Sequence, residues 1–145
     1  MAKIERFEDI DAWKEARSLT RAIYQVTGLP AFNKDIELRQ QMRRASVSIM
    51  ANIAEGFDAA SSREFVKFLG YALRSGTEIQ SHLYVALDQG YADQRTFDSL
   101  REHTVKVKSL IGGFIRYLRS RPRAQARGEK RSGLGFKPGT SNVEP

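Results

Sequence analysis

Along four stretches of the chain apolar residues return every three or four positions, and almost nowhere do they alternate. That period belongs to a helix laid against a core, whereas a half-buried strand would alternate. The first stretch runs from Asp9 to Thr27, with Ile10, Trp13, Ala16, Thr20 and Ile23 as its inward line and Gly28 and Pro30 as its stop. Asn33 is placed to cap the second, whose line is Leu38, Met42, Ala45, Ile49 and Gly56, with Asn52 filling the wide step. The break after Gly56 is softer, Phe57 to Ala60 either prolonging the helix or leading out of it. Ser61 and Glu64 form a capping-box pair, the serine oxygen taking the backbone N–H three residues on while the glutamate reaches back. The third stretch keeps Phe65, Leu69, Ala72, Gly76, Ile79, Leu83 and Ala86 in strict 4-3 alternation up to Gly90. Asp93 is positioned to cap the fourth, which carries Phe97, Leu100, Thr104, Val107, Ile111, Phe114 and Leu118. Connections of a few residues force neighbouring helices antiparallel. The pattern therefore predicts an all-α, antiparallel up-down-up-down four-helix bundle, its helices about 30–40 Å long.

The second helix is unusual. From Ala45 to Ala54 it has no charge, no proline and no glycine, and only Ser48 and Asn52 interrupt the apolar surface with a narrow polar strip. An outer helix of a soluble bundle shows a wide charged face. This one is either enclosed by other helices or covered by another copy of the chain.

Composition sharpens the picture. At 145 residues the chain is long enough for one core without cross-links, and it has no cysteine, so disulfides and thiolate chemistry are excluded. No apolar run reaches signal-peptide or membrane-span length, which predicts a soluble cytoplasmic protein with no membrane partner. Net charge is +7. The last 25 residues, Arg121 to Pro145, hold six basic and two acidic residues, a net +4, and leave +3 for the other 120. That terminal stretch is rich in Gly, Pro, Ser and Arg, so residues 1–120 are expected to form the bundle and 121–145 a flexible, disordered basic tail.

Catalytic chemistry finds few candidates. A carboxylate-bridged di-metal centre in a helical bundle needs two Glu-x-x-His pairs. The chain has two histidines: His82 follows Glu78 by four and His103 follows Glu102 by one, so neither spacing fits. Ser48 or Ser75 with a distant His82 makes no nucleophile–base pair, and Gly112-Gly113 sits within a helix, where it is no phosphate loop. No enzyme activity, metal or cofactor is expected.

Two sets of polar residues remain. Gln41, Ser48, Asn52 and Glu55 lie beside the apolar line of the second helix, and Ser75, Glu78 and His82 make a similar strip on the third. Solvated faces favour long charged side chains, whereas Ser, Ser and Asn are short. They suit a half-buried seam, within the bundle or between subunits, that sets register and partner choice; a small-ligand site using Glu55, Glu78 and His82 is the alternative. The basic residues fall into three clusters: Lys14, Arg17 and Arg21; Arg39, Arg43 and Arg44; and Arg116, Arg119, Arg121, Arg123, Arg127, Lys130 and Arg131. Such residues often only solubilise or pair with nearby acids. Those chosen as nucleic-acid contacts are Arg43, Arg44 and the cluster from Arg116 to Arg131, acting by charge and therefore sensitive to salt. Trp13, Tyr24, Phe65 and Phe68 mostly occupy core lines and are poor stacking platforms.

These residues also carry a resemblance. Phe7, Ile10, Trp13 and Ala16, then Ile23-Tyr24, Leu38-x-x-Gln41-Met42-Arg43-Arg44-Ala45, Ser48-Ile49, Asn52-Ile53-Ala54-Glu55-Gly56, Phe65, Phe68-Leu69, Ser75 with Glu78, and Gly90-Tyr91 resemble the 23S rRNA intervening-sequence proteins, small bacterial four-helix bundles also called S23 ribosomal-type. The likeness extends from Phe7 to Leu118. Arg74 departs from it, standing where the family tends to have glycine before the serine, and the tail lies outside it. The resemblance implies a homo-oligomer, a pentameric barrel around a central channel, without enzymatic activity. Its relatives are encoded within insertions in large-subunit rRNA genes. The accessory variability determinant of diversity-generating retroelements, a basic pentamer that binds nucleic acid and a reverse transcriptase, is similar in fold. Together these predict a basic scaffold working with RNA, DNA or a ribonucleoprotein such as the ribosome. The alternative is a protein–protein adaptor, for example an accessory subunit of a reverse transcriptase.

Overall fold

The computed structural model describes residues 3–121; the expected flexible tail lies outside the described residues. A 3-10 turn (Phe7–Asp9) leads into α1 (Asp11–Thr27), and a one-turn α2 (Pro30–Asn33) leads into α3 (Ile36–Phe57). There follow α4 (Ser62–Asp88) and α5 (Gln94–Ser120). The four long helices form the antiparallel bundle that the periodicity predicts, packed round a ring in the order α1, α3, α4, α5. Among the described residues no helix is long and apolar enough to cross a membrane.

Side chains satisfy the open backbone donors at three helix starts. Asp35 Oδ1 accepts from Leu38 N at 3.1 Å, Ser61 Oγ from Glu64 N at 3.2 Å, and Asp93 Oδ1 from Thr96 N at 2.8 Å. The Thr96 N–H bond holds the Asp93 carboxyl below its usual range. That cap therefore stabilises the fold above the ordinary carboxylate value, and the contribution is lost as pH falls through the lowered one. At the end of α4, Gly90 takes the left-handed backbone (φ 77°) that turns the chain towards α5.

Two caps differ from the sequence reading. The cap of α3 is Asp35, not Asn33, because Pro30 starts the separate turn α2 with Leu29 extended before it. Asn33 instead accepts from Arg39 Nη1 through its backbone O (2.6 Å) and Oδ1 (2.8 Å). The short turn buries Phe32, which stacks on Tyr91 with centroids 5.1 Å apart, while Tyr91 OH donates to Asp35 Oδ2 at 3.1 Å. At α4 only half of the box forms, since the Glu64 carboxylate turns to Lys67 Nζ, 3.9 Å away.

The core rows also shift. In α1 the buried line is Ala12, Ala16, Leu19, Ile23 and Thr27. Trp13 sits one row to the side, half-buried and edge-on to Phe7 at 5.2 Å, and Thr20 lies between α1 and α3 with its Oγ1 donating to Ala16 O (2.8 Å) and Ser46 O (3.2 Å). In α3, Ile53 fills the step assigned to Asn52; in α5, Ile115 is buried and Phe114 lies edge-on to Phe65 at 5.2 Å. Period alone cannot separate a core row from an equally apolar neighbour. The uncharged middle of α3 is mostly enclosed by α1 and α4: Ala45, Ser46, Ile49 and Ile53 are buried, while Val47 remains 44% exposed.

Two glycines set close approaches. A Cβ on Gly56 would stand 2.6 Å from Phe65 Cδ1 and 3.0 Å from Phe68 Cβ, and one on Gly76 would stand 2.8 Å from Lys108 Cγ. Gly70 has open space around it. Helix propensity alone favours Ala over Gly by about 1 kcal/mol. Gly56→Ala is nonetheless expected to destabilise the protein by about 1–3 kcal/mol through overpacking, whereas Gly70→Ala stabilises it by about 0.5–1 kcal/mol. Urea denaturation of the two variants checks the opposite signs.

Candidate nucleic-acid interface and polar seam

The short polar residues come together between α3 and α4. Ser75 Oγ donates to Ser48 Oγ at 3.0 Å, and Asn52 Nδ2 donates to Ser48 Oγ (3.0 Å) and Ser48 O (2.9 Å). All three are partly buried, so the contact is a small hydrogen-bonded bridge inside one chain that fixes the level of α4 against α3. The other seam residues do not join it. Gln41 Nε2 donates to Glu37 Oε2 at 3.2 Å, and Glu78 pairs with His82 Nε2 at 3.1 Å on the outside of α4. Glu55 is exposed near the far end of α3, beside Arg6, Phe7 and Glu8 of the lead-in. Glu55 thus stands apart from the Glu78–His82 pair, and the three do not converge on one ligand position. Among the described residues no group of three or more His, Cys, Asp or Glu is placed to hold a metal ion.

The arginines separate into different tasks. Arg43 is used within the fold: Nε donates to Thr27 Oγ1 at 2.9 Å, Nη2 donates to Tyr24 O at 3.3 Å, and its guanidinium stands 4.5 Å from the Tyr24 ring centroid. It lies at the C-terminal end of α1, where the carbonyls and the helix dipole favour a cation. Its partners were missed by sequence reading; the available signal was Thr27, a hydroxyl four residues after Ile23 on the buried line of α1. Arg44, the next residue, is exposed on the outer side of α3. Arg116 and Arg119 are exposed on the last turns of α5, and Arg121 is half-buried with its guanidinium 5.4 Å from the Tyr117 centroid. The Arg116 guanidinium reaches back to within 3.7 Å of where Gly112 and Gly113 would carry a Cβ. Arg123, Arg127, Lys130 and Arg131 lie outside the described residues. Arg43 and Arg44 therefore sit on α3, and Arg116, Arg119 and Arg121 at the end of α5.

The pattern of the 23S rRNA-intervening sequence protein family matches residues 8–113, well over half of the chain. The chain belongs to that family. A solved structure of a protein of unknown function from the S23 ribosomal protein family of Bacteroides thetaiotaomicron shares the fold, with a TM-score of 0.67 at 22% identity over 72% of this chain and 95% of that one. No curated protein matches. As a 23S rRNA-intervening sequence protein, the chain has its seam, Arg43 and Arg44 within the matched part, while Arg116 and everything after it lie beyond.

The two neighbouring arginines should behave oppositely in unfolding. Arg43→Gln loses a charged hydrogen bond to Thr27 and its place over Tyr24, at an expected cost of about 1.5–2 kcal/mol. Arg44→Gln should stay within about 0.5 kcal/mol of the parent. Chemical denaturation followed by circular dichroism measures both.

Proposed function

We propose that this protein is a non-enzymatic, homo-oligomeric helical scaffold of the cytoplasm that binds nucleic acid, as RNA, DNA or a ribonucleoprotein, through its basic residues. The observation that carries the reading is the charge of α5. From His103 to Arg121 it holds Lys106, Lys108, Arg116, Arg119 and Arg121 and no acid, and the sequence continues with Arg123, Arg127, Lys130 and Arg131. Arg44 adds a cation on α3; Arg43 is the weaker candidate because its guanidinium is already engaged. A pI near 9.9 favours polyanionic partners in general. The family's name connects its members with sequences intervening in 23S rRNA.

The assembly part of the reading rests on the outer side of α3 and α4. Val47 (44%) and Tyr71 (37%) are exposed there, and a second copy covering them would remove apolar surface from water. The same side favours a second reading, an adaptor that docks another protein such as a reverse transcriptase, its basic residues only keeping it soluble.

Fluorescence anisotropy with labelled RNA and DNA, at two salt concentrations, tests the first reading. The expected result is an affinity that falls steeply with salt, the log–log slope growing by about 0.7–0.9 per phosphate contact. Absence of salt-sensitive affinity overturns it. Light scattering should return a multiple of the 16.4 kDa chain; a folded monomer at micromolar concentration removes the assembly.

A further inference from the structure

We infer that the phosphodiester backbone lies along the outer surface of α4 and α5, on two neighbouring cationic ridges of which sequence reading singled out only Arg116 and Arg119. The inference rests on the nucleic-acid reading and places its interface. On α4 the ridge is Arg63, Lys67, Gly70 and Arg74, at steps of 4, 3 and 4 residues; on α5 it is Lys108, Gly112, Arg116 and Arg119, at steps of 4, 4 and 3. Those steps return each set to one line of its helix. Arg63, Lys67, Arg74, Arg116 and Arg119 are exposed, Arg74 with its guanidinium 5.6 Å from the Tyr71 centroid, and Lys108 is half-buried.

The antiparallel register sets the two ridges level. Lys108 Nζ donates to Thr77 Oγ1 and to Gln80 Oε1, both at 2.8 Å, Phe65 meets Phe114 at 5.2 Å, and Tyr84 meets Phe97 at 4.9 Å. With those contacts fixed, Arg63 stands level with Arg119, Lys67 with Arg116, Gly70 with Gly112 and Arg74 with Lys108. The result is a ladder of two cationic rungs, one glycine rung and a closing Arg74–Lys108 rung whose lysine is already bonded to α4, about 16 Å long at 1.5 Å per residue. Packed helix axes are about 8–10 Å apart, so the rows run side by side on the outer surface. No acid occupies either ridge. The nearest are Glu64, whose exposed pairing with Lys67 at 3.9 Å is loose, and Glu78, one turn beyond Arg74 and paired with His82 at 3.1 Å.

Other surfaces fit a polyanion less well. Around Arg44 the outer side of α3 and α4 also presents Glu37, Glu55 and Glu78. The outer face of α1 carries Lys14, Arg17 and Arg21, half as many cations and all from one helix. The glycine rung leaves backbone bare between the cations: Gly70 has nothing near it, and the Arg116 guanidinium already lies over Gly112.

The experiment uses the full chain and three variants. Arg63→Gln/Arg74→Gln/Arg116→Gln removes three charges from the ladder; Lys14→Gln/Arg17→Gln/Arg21→Gln removes three from α1. Arg63→Lys/Arg74→Lys/Arg116→Lys keeps the ladder's charge. Anisotropy is measured with a labelled 20-nucleotide single-stranded RNA and with a 20-base-pair RNA duplex, from 50 to 200 mM KCl. The glutamine ladder variant should bind at least about tenfold more weakly at 100 mM and flatten the salt slope by about 2–3. The α1 variant should change affinity less than about threefold, and the lysine variant should keep the parent slope. The size of the loss on each RNA tells whether single strand or duplex is held. Equal losses in the two glutamine variants overturn the ladder and leave the broader reading standing, as does a ladder variant that binds like the parent. A parent that binds neither RNA overturns both. Equal competition by poly-glutamate at matched charge assigns the ladder to an acidic protein and overturns it as a phosphodiester site.

Discussion

The close approach of α3 to α4 is the constraint on which the other contacts depend. Gly56 has no side chain in the space that Phe65 and Phe68 occupy, and Ser48 and Ser75 hydrogen-bond at 3.0 Å farther along the same pair of helices. One point lies near the start of α4 and the other at its middle, so together they fix its depth and its level. Phe65 then meets Phe57 edge-on at 6.3 Å and Phe114 at 5.2 Å, carrying the same register into α5. Lys108 crosses Gly76 as a consequence, its stem lying where a methyl would otherwise stand. A displacement at Gly56 would pass through Phe65 to the far side of the bundle, because close-packed cores do not absorb strain locally.

Much of this was legible in the sequence. The 3-4 spacing marks the four long helices, and Ser61 and Asp93 mark two of their starts at the residues where the caps form. Where the reading slipped, a tertiary partner decided. Asn33 and Asp35 are equally good caps on paper; Phe32 stacking on Tyr91, and Tyr91 bonding to Asp35, select the second. Trp13 and Ala12 sit on adjacent rows, and the narrow centre of the bundle takes the alanine while the indole lies against Phe7. Ser48, Asn52 and Ser75 were recognisable as a seam because short polar groups rarely line a solvated face. Glu55 and Gln41 shared their spacing but not their surroundings. Arg43 was not legible as an internal residue, since nothing in its local sequence says that the end of α1 lies within reach.

Charge is distributed by the same logic. Cations near helix ends or facing carboxylates are drawn into local work: Arg39 holds Asn33, Arg43 holds the end of α1, and Lys106 shares Glu15 with His103 at 3.4 and 3.2 Å. Such exposed or half-exposed pairs contribute little to stability individually, typically below about 1 kcal/mol. They do consume charge, and their acids neutralise the surfaces around them. The second half of α5 has no acids with which to do so, and the first half of α4 has only Glu64.

The helix glycines divide along this same line. Gly56 and Gly76 are enclosed, and the fold needs them small. Gly70 and Gly112 face outwards, where an alanine would favour the helix by about 1 kcal/mol each. Packing gives no reason for either. They stand at the same level of neighbouring helices, within rows of arginine and lysine, and the register that aligns them is held by Lys108 on Thr77 and Gln80 and by Phe65 against Phe114. Arg74, the residue that departs from the family resemblance by replacing a glycine, adds its charge one turn beyond Gly70. On the nucleic-acid reading proposed above, small residues where backbone is left bare, with long cations on either side, suit contact by something narrow and negative. A surface evolved only for solubility has no use for the first half of that combination.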